Sequence, residues 1–120
     1  MKSKYIRDKF PGSGFKNLEE KLGLNASVTD SGIVFPEKAQ STRTHLHINT
    51  LHLTYTKSGH GSFMAGPDSF EMTPGTVSVV YPNESHSFHP YPEDPFGNLN
   101  LKIYCHGPLP CKLPRLIHIK

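Results

Sequence analysis

The sequence predicts one all-β domain, a jelly-roll barrel with a short helical segment near its start. The chain has 120 residues, which suits a single domain, and its 11 prolines and 10 glycines are typical of many short elements joined by turns. Short extended runs with alternating apolar residues follow one another from Gly32 onwards, and no helical periodicity occurs after residue 24. We therefore divide the chain into an N-terminal arm, residues 1–24, and a barrel domain, residues 25–120.

The N-terminal arm is predicted to carry one short helix. Residues 1–14 are polar and interrupted by glycine and proline, so we expect them to be poorly ordered. Residues 17–23 predict the helix, because Asn17 suits the N-cap and Gly23 is a natural stop. A helix this short needs a surface to pack against.

Eight short strands are predicted in the barrel domain. Each is a run rich in β-branched, aromatic or alternating apolar residues, bounded by glycine, proline or asparagine. In order, these runs are 33–35, 45–57, 62–65, 69–72, 76–81, 86–89, 99–105 and 116–119. Residues 66–68, Gly-Pro-Asp, predict a hairpin turn between the third and fourth runs.

Composition excludes several classes of function. The formal net charge is +3, and the basic residues are concentrated near the two ends of the chain rather than in a stripe, which argues against a nucleic-acid surface. No apolar run approaches the length of a membrane span, so we expect a soluble cytoplasmic protein without a membrane partner. Cys105 and Cys111 are too few for a disulfide scaffold and are expected to be reduced.

Histidines are the main chemical clue. The chain has eight, and five of them fall between His45 and His86. His45 and His47 project to the same face of an extended segment, His52 can rejoin that face across a bend, and His86 begins a separate strand. Two histidines spaced like His45 and His47 usually lie on the surface or are half-buried. Four converging imidazoles, however, would bind Zn, Ni, Mn or Fe.

The spacing of glycines around these histidines resembles the cupin family. The first cupin motif is HxH, three or four residues, a glutamate, six residues and a glycine, and here His45-Leu46-His47 is followed at those spacings by His52 and Gly59. The second motif runs from a glycine through a strand and a proline turn to a histidine, as from Gly75 through Pro82 to His86. The resemblance implies a cupin barrel with a metal held by His45, His47, His52 and His86.

A narrower resemblance is to the sensor domains of AraC-type transcription regulators. Residues 51–61 are similar to their EL-x-YV-x-x-G-x-G segment, and residues 73–86 to their L-x-PGDL-x-L-x-PP-x-x-x-H segment. The resemblance implies a barrel that binds a small-molecule effector and helps to form a homodimer. It also implies that DNA is contacted only through a helix-turn-helix region that these 120 residues do not contain.

One departure from the cupin pattern bears on the metal. His52 stands where metal-binding cupins have glutamate, so the expected ligand set has no carboxylate, which favours Zn, Ni or Cu over Mn or Fe. An effector pocket is also predicted from aromatic residues on the strands, although such residues more often form the core. These residues are Tyr55, Phe63, Tyr81, Phe88 and Tyr104, of which Tyr81 and Phe88 lie nearest to His86.

Two functions are compared, and a storage or structural barrel without chemistry remains a third possibility. The first is a small-molecule sensing domain of an AraC-type regulator, assisted by a metal. The second is a separate metal-dependent cupin enzyme of the dioxygenase or isomerase type, in which the metal acts as Lewis acid or oxygen platform. The missing carboxylate and the lack of any evident acid–base or nucleophile pattern favour the sensor and assign no catalytic residue.

Overall fold

A computed structural model of the chain describes residues 5–7, 26–109 and 112–119. Nine strands lie in these ranges. They are β1 (Tyr5–Arg7), β2 (Ala26–Val34), β3 (Thr50–Ser58), β4 (Gly61–Ala65), β5 (Asp68–Met72), β6 (Thr76–Val80), β7 (His86–Pro90), β8 (Gly97–Cys105) and β9 (Leu116–His118). The one helical element in the described ranges is the three-residue 3-10 turn Pro36–Lys38. These ranges therefore contain no helix long enough to cross a membrane.

The strands form two antiparallel sheets. The larger sheet has the order β1-β2-β8-β3-β6-β9, and the smaller has the order β5-β4-β7. Strands that are distant in the chain therefore lie side by side, as β2 beside β8 and β4 beside β7. This arrangement confirms the predicted all-β jelly-roll barrel.

Apart from shifts of one or two residues at strand ends, three features differ from the prediction. The predicted strand 45–57 begins only at Thr50, because Asn49 adopts a left-handed backbone conformation (φ 52°) that interrupts the extended run. Strand β2 begins at Ala26, seven residues before the predicted run at 33, because its polar residues pair with β8. Tyr5–Arg7, in the segment expected to be poorly ordered, forms β1 against β2. The predicted helix at 17–23 and Cys111 lie outside the described residues.

The apolar core of the barrel lies mainly on the smaller sheet. Phe63 is fully buried, and its ring stacks on Phe70 with 5.1 Å between centroids and lies 6.0 Å from Phe88. Met72 and Val80 complete the same cluster. This sheet therefore forms an apolar wall, and it lies opposite the larger sheet, whose inner face is polar.

The inner face of the larger sheet is polar. By register, Thr54 lies opposite Ser78 and Asn100 on the two neighbouring strands, and Thr56 lies opposite Thr76 and Asn98. All six of these residues are buried. Because side chains alternate along a strand, the apolar residues between them face the outside of the barrel.

The outer face of the larger sheet holds a second apolar cluster. Leu51, Val79 and the free thiol of Cys105 are buried there. Partly buried residues of the C-terminal segment pack against them, including Leu113 and Ile117. The C-terminal segment therefore covers part of this face.

Candidate metal and ligand site

The histidines that the sequence singled out lie at one end of the barrel. His45 and His47 precede β3, His52 lies on β3, and His86 is the first residue of β7. His45 and His86 form a two-way backbone bridge, in which each donates its N–H to the carbonyl of the other (2.9 and 2.8 Å). The bridge holds their imidazole centroids 4.3 Å apart.

A pair of asparagines fixes the position of His47. Asn49 and Asn83 both have positive φ, and each side chain bonds to the other residue, with Asn49 N–H donating to Asn83 Oδ1 (2.9 Å) and Asn83 Nδ2–H to Asn49 Oδ1 (3.2 Å). The N–H of Asn83 donates to the His47 carbonyl (3.1 Å). The turn before β3 is thereby tied to the turn before His86.

His45, His47 and His86 form a group suited to one metal ion. Their candidate ligand nitrogens all lie within 4.8 Å of one another. His45 Nδ1–H donates to the Arg43 carbonyl (2.6 Å), and His86 Nδ1–H donates to the Glu84 carbonyl (2.8 Å). Since a carbonyl only accepts, each of these rings keeps the lone pair on Nε2, as metal-bound histidines do.

The Nε2 atoms of His47 and His86 are buried and have no hydrogen-bond partner among the described residues. A buried nitrogen without a partner costs about 1–3 kcal/mol. A metal ion would remove this cost for both atoms at once. The donor set therefore fits a divalent ion that accepts imidazole ligands.

His52 lies beside this group without sharing its nitrogen cluster. Its ring centroid is 5.5 Å from that of His47 and 6.0 Å from that of His86. Its Nε2 bonds to Asn100 Oδ1 (2.9 Å), while its Nδ1 is buried with no partner in the described part of the chain. Of the four predicted ligands, the structure thus groups three and places the fourth next to them.

Burial holds the imidazoles of His47, His52 and His86 neutral. Burial, with a smaller contribution from the positive charge of Lys102, lowers the pKa of His47 to about 4 and that of His52 to about 3. At His47, Lys102 outweighs the opposite effect of Asp30. Burial also lowers the pKa of His86. Neutral imidazole is the form that binds metal.

These shifts predict how the metal-free protein responds to acid. The unfolded chain binds protons at His52 below pH about 6.5, whereas the folded chain does so only near pH 3, so the free energy of unfolding falls as pH decreases through this window. We expect a loss of about 2 kcal/mol from His52 alone between pH 7 and pH 5. Urea denaturation of EDTA-treated protein at several pH values measures it.

The matched variant is His52→Gln, which lacks the titrating group and should show a shallower dependence on pH over the same range. Equal slopes for the two proteins would contradict the assignment of His52 as a buried neutral imidazole.

A cavity of about 370 Å³ opens beside the histidine group. His45, His47 and His52 line one part of it, and Asn98, Asn100, Lys102, Phe88 and Phe96 are among the residues that line the rest. Two other cavities, of about 490 and 460 Å³, are lined by none of the four histidines predicted as ligands. Of these three cavities in the described part of the chain, only that of 370 Å³ allows a metal at the histidine group and a small molecule to meet.

The structure separates the five aromatic residues predicted for the pocket. Phe88 lines the cavity, and Phe63 packs beneath it in the core. Tyr55 has the opposite strand parity to Thr54 and lines a groove on the outer face. Tyr81 packs in the outer cluster with its hydroxyl on the Leu113 carbonyl, and Tyr104 lies near the end of β8 beside His106. The three tyrosines therefore do not line the cavity beside His45, His47 and His52.

Sequence reasoning missed the polar wall of the cavity. Asn98, Asn100 and Lys102 alternate with Leu99 and Leu101 along β8. The sequence shows this alternation, but it does not indicate whether the polar residues or the leucines face the inside of the barrel. The pairing of these three residues with His52, Thr54 and Thr56 on β3, which places them at the cavity, is visible only in the structure.

The family model of the AraC-like ligand binding domain matches residues 32–109 of the chain. This range contains all four predicted ligands and the lining of the cavity, and it confirms the resemblance seen in the motifs. No protein of curated function shows significant sequence similarity to the chain.

Three solved structures with the same fold, one of them a cupin protein, illustrate the likeness. YhaK from Escherichia coli is 13% identical with a TM-score of 0.65, over 96% of this chain and 51% of YhaK. A cupin protein from Bacteroides fragilis is 15% identical with a TM-score of 0.59, over 90% of this chain and 82% of that one. A predicted oxalate decarboxylase from Thermotoga maritima is 20% identical with a TM-score of 0.52, over 72% and 73%. At these identities, the likeness concerns the fold alone.

The family match covers more than half of the chain, and the two-sheet architecture agrees with it. The first of the motifs that suggested the family contributes His45, His47 and His52 to the lining of the cavity. The chain therefore belongs to the AraC-like ligand binding domain family and has a cupin-type barrel fold.

Proposed function

We propose that this chain is the sensing domain of an AraC-type transcription regulator, and that it binds a small-molecule effector with the help of a divalent metal ion. It acts as a homodimer in the cytoplasm, and DNA is contacted through a helix-turn-helix region outside these 120 residues. Ligand binding would shift the equilibrium between two arrangements of the regulator.

The observation that carries the proposal is the group formed by His45, His47 and His86 beside a cavity. Three nitrogens lie within 4.8 Å of one another, and backbone carbonyls orient two of the rings. Zinc, nickel or copper suits such a set, because all three accept neutral imidazole and the set has no carboxylate. Bound there, the ion would supply a Lewis-acidic contact for an effector.

The lining of the cavity supports binding rather than turnover. Its described residues include no aspartate or glutamate, so no carboxylate is positioned to transfer a proton to or from a bound molecule. A homodimer is supported by the apolar groove on the outer face, where Leu99 remains 42% exposed beside Leu53 and Tyr55.

The test is elemental analysis of protein purified without an affinity tag, followed by zinc titration of EDTA-treated protein by calorimetry. We expect one zinc per chain and a rise in the unfolding midpoint of roughly 10 °C at a free zinc concentration 100 times the Kd. Sedimentation equilibrium measures the dimer on the same samples. Protein that binds no metal and remains monomeric would contradict the proposal.

A further inference from the structure

The cavity extends along β8 from the histidine group to a second polar end. Lys102 lies opposite His52 in the register of the sheet, and Asn98 lies opposite Thr56. Lys102 is four positions after Asn98 on the strand, which corresponds to about 13 Å. Both residues line the cavity, so an elongated molecule can reach from one end to the other.

The histidine end favours a negative charge. Imidazole ligands bring no negative charge, so a divalent ion bound by His45, His47 and His86 would keep its net charge of two. Lys102 lines the same end, whereas Asp30, its ion-pair partner at 3.7 Å, is not among the lining residues, so the positive member of the pair lies nearer to a bound molecule. An anionic group on the bound molecule would neutralise this positive charge at short range, in surroundings where water screens poorly.

Part of the cavity wall is apolar. Phe88 and Phe96 are both more than nine-tenths buried and contribute to the wall, together with Val34. Such a wall favours an aromatic or aliphatic body over a fully hydroxylated one, because each polar group placed against it loses its hydrogen bonds to water.

The far end needs a hydrogen-bond donor. Asn98 is only 4% exposed, and its Oδ1 has no partner within the described ranges. Its neighbour Asn100 differs, because Asn100 Oδ1 accepts from the Thr54 hydroxyl (2.8 Å) and bonds to His52 Nε2 (2.9 Å). A buried acceptor left without a donor costs about 1–3 kcal/mol, which a ligand hydroxyl or N–H would offset.

We propose that the effector is a small organic acid with an apolar body, whose carboxylate lies at the metal and Lys102 and whose opposite end donates a hydrogen bond to Asn98. This inference rests on the proposed function, since the metal supplies the charge at one end.

The test uses three matched compounds with the zinc-loaded protein in calorimetry. 3-(4-Hydroxyphenyl)propionate carries all three features, 3-phenylpropionate lacks the donor, and 3-(4-hydroxyphenyl)propionamide lacks the charge. We expect the hydroxy acid to bind at least about tenfold more tightly than either of the others, the change that about 1.4 kcal/mol produces.

Variants assign each preference to a residue. Asn98→Ala should reduce the preference for the hydroxylated acid to about twofold or less, and Lys102→Met should reduce the preference for the acid over the amide. Tyr91→Phe, at an exposed tyrosine whose hydroxyl donates to Glu71, is the control and should leave both ratios unchanged. The ratios between the dissociation constants of the three compounds, measured with the unmodified protein, test the proposal even if a variant does not fold.

The outcomes separate this inference from the function on which it rests. If one zinc ion binds per chain but the three compounds bind with equal affinity, or do not bind, the inference is overturned. The metal site then remains in place. Failure to bind zinc would remove the metal site first, and the inference with it. Preference for both the charge and the hydroxyl, lost in the respective variants, would support it.

Discussion

Replacing His47 by alanine is expected to weaken zinc binding at least about 100-fold. His47 belongs to the group of three nitrogens within 4.8 Å, and its Nε2 is buried without another partner in the described residues. Removal leaves two ligands where structural and catalytic zinc sites use at least three. Calorimetric titration of EDTA-treated protein measures the change. If His47→Ala binds zinc with the same Kd as the unmodified protein, the proposed metal site is contradicted.

Two further variants give this experiment its controls. His60→Ala removes a histidine that pairs with Asp94 on the surface, far from the group in the fold, and should bind zinc normally. His52→Ala should weaken binding less than His47→Ala does, because His52 lies next to the nitrogen cluster and is held by Asn100. An equal or larger loss in His52→Ala would show that the fourth predicted histidine is a full ligand.

Replacing Phe63 by alanine is expected to lower the free energy of unfolding by about 3–5 kcal/mol. The side chain is fully buried between the rings of Phe70 and Phe88, so truncation leaves a hole that the sheet cannot easily close. Since small domains have a total stability of roughly 5–15 kcal/mol, the loss should be large in urea denaturation.

The neighbouring residue provides a matched control for this loss. Met64 points to the opposite face of β4 and is 39% exposed, so Met64→Ala should change the free energy of unfolding by no more than about 1 kcal/mol. Comparable losses in the two variants would mean that the core does not lie on the Phe63 face of the smaller sheet.

Local sequence patterns were sufficient for the fold class and for the identity of the histidines. Alternating apolar runs separated by glycine and proline predicted the strands, and the spacing from His45 to Gly59 and from Gly75 to His86 predicted the barrel family that the family model confirms. Both signals depend only on residues near one another in the chain, so they can be recognised without knowledge of the tertiary structure.

Tertiary structure decided how close the histidines lie and which strand faces form the cavity. The backbone bridge between His45 and His86 joins segments 41 residues apart, and no local pattern specifies that contact. Likewise, alternation on β8 separates Asn98, Asn100 and Lys102 from the leucines between them, but it is equally compatible with either face inside. Only the packing of the two sheets places the asparagines and the lysine around the cavity and leaves the tyrosines outside, because which face is enclosed depends on contacts between strands that are distant in sequence.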